Sequence, residues 1–146
     1  VVGETLSGTS WAPAHVAHGP NNRTALVRTL PGRFEWRLPD ASANPYLATA
    51  GMIAAGLDGI ERRLDPGPAC SDDLFACPLA EIRARGIALL PQALGDAVDA
   101  LEASALLRAA LGDTLHGEFV RLKRAEHLEH ARHVSAWELD RYATRF

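Results

Sequence analysis

The sequence predicts an α+β fold. An antiparallel β-hairpin, part of a larger sheet or barrel, packs against a buried long helix, and a mainly helical C-terminal region follows. Three observations predict this. Arg33-Phe34-Glu35-Trp36-Arg37-Leu38 alternates charged and apolar residues with the period of a strand. Asn44-Pro45 is a strong helix start, and an apolar run follows it. From Pro91 onward, apolar residues recur at helical spacing.

In chain order, Val1 to Pro20 is irregular, punctuated by Gly3, Gly8, Pro13, Gly19 and Pro20, with a short strand at Ala14 to Ala17. His15 and His18 there read as packed or surface residues rather than ligands. Arg23-Thr24-Ala25-Leu26-Val27-Arg28 is strand-like, and Pro31-Gly32 suits the centre of a type II turn. Strands near 22–30 and 33–38 therefore pair antiparallel. Phe34 and Trp36 face a core, and Arg33, Glu35 and Arg37 share the opposite face. Arg23 and Arg28 are at an odd spacing, so strict alternation separates them. Either a bulge intervenes or Arg23 sits in the loop before the strand.

Tyr46 to Leu64 reads as one long helix, apolar on all sides in its first half and therefore buried. Gly51, Gly56 and Gly59 would let a neighbour approach closely. Asp65-Pro66-Gly67-Pro68 ends it. Residues 65–90 read as a long polar linker with one helical turn around Leu79 to Arg85. Leu94, Ala97, Val98 and Leu101 then form one helical stripe. Ala105 to Ala110 starts another stretch, and Leu111, Leu115, Phe119, Leu122 and Ala125 line the next. Ser135-Ala136-Trp137-Glu138 fits a capping box that opens a short final helix to Phe146.

Composition narrows the function classes. The chain has 146 residues, one domain's worth, and a formal net charge of -3. No basic stripe stands out, which argues against a nucleic-acid partner. No apolar run is long enough to span a membrane, and no signal-peptide pattern opens the chain. A cytoplasmic location is the expectation. Cys70 and Cys77 have no zinc-motif spacing, and read as two free thiols or as a disulfide or redox pair. Glu126, His127, Glu129, His130 and His133 form either a charged, solvated helix face with i,i+4 pairs or a candidate metal cluster.

The hairpin carries most of the chemistry: Arg23, Arg28, Arg33 and Arg37 around Glu35. Such a face is either a solvated surface with weak cross-strand ion pairs or a site for anions plus a metal. Guanidinium forks grip carboxylate and phosphate, and a carboxylate held among them stays ionised and can ligate a hard divalent cation.

Several motifs in fixed order add to this reading. They are Asn22-Arg23-Thr24, Arg28, Arg33-Phe34-Glu35-Trp36-Arg37-Leu38-Pro39-Asp40, Ala43-Asn44-Pro45-Tyr46-Leu47 and Ala55-Gly56-Leu57-Asp58-Gly59-Ile60. This series resembles the C-terminal catalytic region of glutamine synthetases. The resemblance implies that residues 1–146 are the C-terminal portion of such a catalytic domain. The N-terminal β-grasp domain and the upstream catalytic half then lie outside this chain.

The resemblance implies an ATP-dependent ligase that joins glutamate to ammonia or a primary amine through γ-glutamyl phosphate, with Mg2+ or Mn2+. Glu35 would hold the metal and Arg37 the substrate glutamate. Arg23 and Arg28 would contact ATP phosphates and the phosphoryl group in flight, with Arg33 near the nucleotide. Members of the family assemble as homo-oligomeric stacked rings. Three positions depart from the ammonia-using pattern. Phe75 occupies the place of an adenylylated tyrosine, so that control is expected to be absent. The lysine that contacts ATP from the hairpin loop has no counterpart. Trp11 falls where a flap glutamate is expected, and Ser10-Trp11-Ala12-Pro13 resembles the branch of the family that includes both amine-using relatives, which join glutamate to alkylamines or polyamines, and a bacterial glutamine synthetase-like group. Trp11 would then wall an amine pocket. The rival class is a non-catalytic fragment or assembly module.

Overall fold

The computed structural model describes residues 12–144, together with the backbone of Glu4–Thr5 and Gly8–Thr9. Those two short segments, β1 and β2, pair antiparallel. The chain forms two units, residues 1–90 and 91–146. The fold is α+β, as the sequence predicts.

The first unit centres on a three-stranded sheet in the order β3-β4-β5, with β3 His15–Pro20, β4 Ala25–Leu30 and β5 Arg33–Trp36. β4 and β5 are the expected antiparallel hairpin, and Gly32 takes φ 74°, close to the third position of a type II turn. β3 joins the other edge of β4 in parallel, with a register shift between His15 and His18. His15 is buried, and burial lowers its pKa from the usual histidine value.

Residues 65–90 do more than link. Cys70, Leu74 and Ile82 form the core of this unit, packed with Ala17, Cys77 and Ile87. Ile82 lies on α2, Leu79–Ala84. The loop closes against the sheet through Cys70 N, which donates to His18 O at 2.7 Å. Gly19 makes this approach possible: a Cβ there would lie 1.8 Å from Cys70 O.

Three expectations need correction. The long helix α1, Pro45–Glu61, forms where predicted, with the Asn44 side chain accepting from Tyr46 N and Leu47 N. It is not buried, however. None of its residues is buried, and it packs on no other described element of its unit. Tyr46, Ile53, Leu57 and Ile60 lie along one exposed stripe, because no other described element of this unit covers that face. For the same reason Phe34 is exposed and Trp36 only half-buried: β5 pairs with β4 and packs on no other described element. α1 also ends earlier than Asp65-Pro66. Arg63 N donates to Ile60 O and Leu64 N to Gly59 O, a Schellman closure with Arg63 at φ 51°.

The second unit is helical: α3 Leu94–Ala103, α4 Ala105–Leu111, α5 Asp113–Arg132 and α6 Ala136–Tyr142. α3 and α4 pack on α5. The buried edge of α5 is His116 and Val120, one position along from the expected stripe, and Leu115 and Leu122 are exposed. His116 sets this rotation, since its Nε2 bonds Leu101 O at 2.9 Å. The capping box at Ser135 and Glu138 forms. No helix of the described residues is long and apolar enough to cross a membrane.

Candidate active site

The hairpin register places Arg28 directly across from Glu35. Arg28 Nη1 donates to Glu35 Oε2 at 3.0 Å and to Oε1 at 3.1 Å. Arg28 Nη2 donates to Asn21 Oδ1. Alternation along β5 puts Arg33 and Arg37 on the Glu35 face. The Arg28 hydrogen bond chiefly holds the Glu35 carboxyl below the usual glutamate range; burial opposes it, and the fields of Arg28, Arg33 and Arg37 add to the lowering. Glu35 is therefore an ionised carboxylate in a ring of cations.

Arg23 reaches the same region by a different route. It sits in the link Asn21–Thr24 before β4, which resolves its odd spacing from Arg28. Asn22 and Thr24 on either side are buried, while Arg23 is exposed. Asn22 Nδ2 donates to Cys70 O at 2.9 Å and to Asp72 O at 2.8 Å. Its Oδ1 accepts from Thr24 N at 2.9 Å and from Thr24 Oγ1 at 2.7 Å. Thr24 Oγ1 in turn accepts from Leu74 N at 3.1 Å. Arg23, Arg28, Asn21, Thr24, Ser71 and Asp73 line an open cleft of about 530 Å³.

Of the predicted site residues, the structure thus brings Arg23 and Arg28 together on the cleft, and Glu35, Arg33 and Arg37 together on the adjoining strand face. Trp11 lies outside the described residues. Phe75 follows the cleft residue Asp73, whose Oδ1 accepts from Phe75 N. Sequence reasoning assigned no part to Asn22, Thr24, Ser71 or Asp73. The available signal was polar Asn22 and Thr24 alternating with Arg23 immediately before an apolar strand. Among the described residues no three His, Cys, Asp or Glu side chains converge on a possible metal position, the α5 histidines included.

Comparison with known proteins fixes the family. Residues 5–142 match the family described as glutamine synthetase, catalytic domain. The chain belongs to the glutamine synthetase family. It is 49% identical over 146 residues to the glutamate–methylamine ligase of Methyloversatilis universalis, covering all of this chain and 33% of that protein. It is 45% identical over 140 residues to the glutamine synthetase of Halobacterium salinarum, covering 92% of this chain and 31% of that protein. A solved structure of GmaS in its apo form without ligand matches with a TM-score of 0.78 at 41% identity, covering 91% of this chain and 31% of that one. The chain spans about a third of the length of the curated glutamine synthetase family relatives it matches.

Proposed function

We propose that this chain is the C-terminal part of the catalytic domain of an ATP-dependent ligase that forms a γ-glutamyl amide from glutamate and ammonia or a primary amine, through γ-glutamyl phosphate. One observation carries the reading: an ionised Glu35 ringed by Arg28, Arg33 and Arg37, beside a cleft that Arg23 enters. Membership of the glutamine synthetase family supplies the reaction class.

Phosphoryl transfer asks a protein mostly to position groups and neutralise charge. Four guanidinium groups serve that need. Arg23 and Arg28 grip the phosphates and the phosphoryl group in transfer, Arg33 lies near the nucleotide, and Arg37 holds the glutamate carboxylate. Glu35 offers one hard, ionised oxygen donor, which fits one position around Mg2+ or Mn2+. With no converging set of three donors among the described residues, its partners would come from phosphate, water and the rest of the longer protein. Bound there, the cation would neutralise developing phosphate charge. The longer protein is read as cytoplasmic and as a homo-oligomer of stacked rings. Similarity to a methylamine ligase, together with Trp11 in place of a flap carboxylate, favours an alkylamine as the second substrate.

Kinetics of the full-length protein test these roles. Glu35→Ala is expected to abolish metal-dependent turnover. Arg37→Ala is expected chiefly to raise the KM for glutamate. An unchanged glutamate KM in Arg37→Ala, or full activity in Glu35→Ala, would overturn the assignments.

A further inference from the structure

We propose that Asn22 and Thr24 are positioning residues for Arg23, forming a buried latch that fixes the arginine's backbone above Ser71 and Asp73. Only the kinetic part of its test rests on the ligase reading.

A carboxamide offers two N–H donors and a carbonyl with two lone pairs. Asn22 uses all of these: Cys70 O and Asp72 O accept, and Thr24 N and Oγ1 donate. A buried amide satisfied at every position has one orientation, because any rotation orphans a buried partner. Thr24 extends the network to Leu74 N, whose own side chain is 1% exposed in the core. The latch therefore ties the link before β4 to the buried part of the loop.

Geometry then decides where Arg23 goes. Backbone bonding pins Asn21 N to Thr29 O at 2.9 Å. From there to Ala25 the link is held mainly by the two side chains, since the Asn22 N to Gly19 O contact is long at 3.5 Å. With residues 22 and 24 turned inward, Arg23 between them is exposed and lines the cleft. The same bonds set the floor of that cleft, because Cys70 O and Asp72 O flank Ser71 and precede Asp73. One network thus places the arginine and the surface opposite it. A residue that merely packed the loop would affect stability without acting through Arg23.

The test is a double-mutant cycle in the full-length protein, read by calorimetric titration with inorganic pyrophosphate without divalent cations. Arg23→Ala is expected to weaken binding by about tenfold or more, the loss of a charge-assisted hydrogen bond. Thr24→Val, which keeps the shape and removes the hydroxyl, is expected to weaken it comparably. The double variant is expected to match Arg23→Ala within about twofold, since the two act as one unit. Thr24→Ser is expected to restore wild-type binding. Should Thr24→Val fail to fold, Thr24→Cys, a far weaker hydrogen bonder, carries the same comparison. In turnover, Thr24→Val is expected to lower kcat/KM for ATP by up to about a hundredfold, the cost of a ~1 Å misplacement, with the glutamate KM unchanged. Wild-type pyrophosphate affinity in Thr24→Val, multiplying effects in the double variant, or no pyrophosphate binding by the wild type would each overturn the proposal. If the binding pattern holds and no amide forms, the ligase reading fails and the latch stands.

Discussion

Arg28 reaches both oxygens of Glu35 from one nitrogen, so protonating that carboxylate weakens its pairing with the guanidinium. The Glu35 pKa is lowered, which sets the sign: the stabilisation is present above the unfolded-state value and is lost as pH falls through the folded value. Carboxyl-carbon NMR titration is expected to give a midpoint below the ordinary 4.5, moving up in Arg28→Ala. A midpoint at or above 4.5 in the wild type would contradict this geometry. Trp11 calls for a different argument. A desolvated ammonium needs negative charge or hydrogen-bond acceptors, which an indole lacks, whereas an alkylammonium adds apolar burial to the cation–π contact. Each buried methylene contributes about 0.8 kcal/mol, so a methyl or ethyl group favours the alkylamine by several-fold to about tenfold or more. The full-length protein is expected to show higher kcat/KM for methylamine or ethylamine than for ammonia, with Trp11→Glu reversing the order. A wild type that prefers ammonia, with the ranking unchanged in Trp11→Glu, would end the pocket argument. The arginines and Glu35 were legible because strand alternation and charge suffice to group them. Asn22 and Thr24 were not, because their partners are backbone atoms of residues 70–74, nearly fifty positions away.

At the scale of elements, two helix and turn details make stability predictions. Arg63 holds the C′ position of α1 at φ 51°, where an L side chain is strained and glycine is not. Arg63→Gly is expected to stabilise the protein by roughly 1 kcal/mol, seen as a higher urea midpoint with unchanged slope. A lower midpoint would contradict the capping geometry. Gly19 tests the loop closure in the opposite direction. Gly19→Ala drives a methyl into Cys70 O, and is expected to cost about 1–3 kcal/mol as an overpacking defect. The hairpin, α1 and the capping box were readable from local chemistry: Pro31-Gly32, Asn44-Pro45 and Ser135 with Glu138 each act within a few residues. What covers an apolar face is not local. Tyr46, Ile53, Leu57 and Ile60 read as core in the sequence and stand exposed on α1. In contrast, Cys70, Leu74 and Ile82, scattered through a polar stretch, form the core. Periodicity reports that a face is apolar; it cannot name its neighbour.

For the whole molecule, the proposed function would have this chain supply one side of a ligase site. The Glu35 carboxylate with its arginines and the cleft lie in residues 1–90, and Glu35 belongs to no converging set of three donors among the described residues. Purified 146-residue material is therefore expected to form no amide from ATP, glutamate and any amine; detectable turnover would sink the partial-site reading. The most direct measurement of the central claim follows one oxygen atom. In the proposed reaction a γ-carboxylate oxygen of glutamate attacks the terminal phosphorus of ATP, and ADP leaves. The amine nitrogen then attacks the γ-carbon, the carbon–oxygen bond breaks, and phosphate departs with that oxygen. The full-length protein, given glutamate labelled with heavy oxygen in its γ-carboxylate, ATP and methylamine, is expected to release phosphate carrying one labelled oxygen for each amide formed. Unlabelled phosphate, or ATP cleavage without a γ-glutamyl amide, would contradict the account.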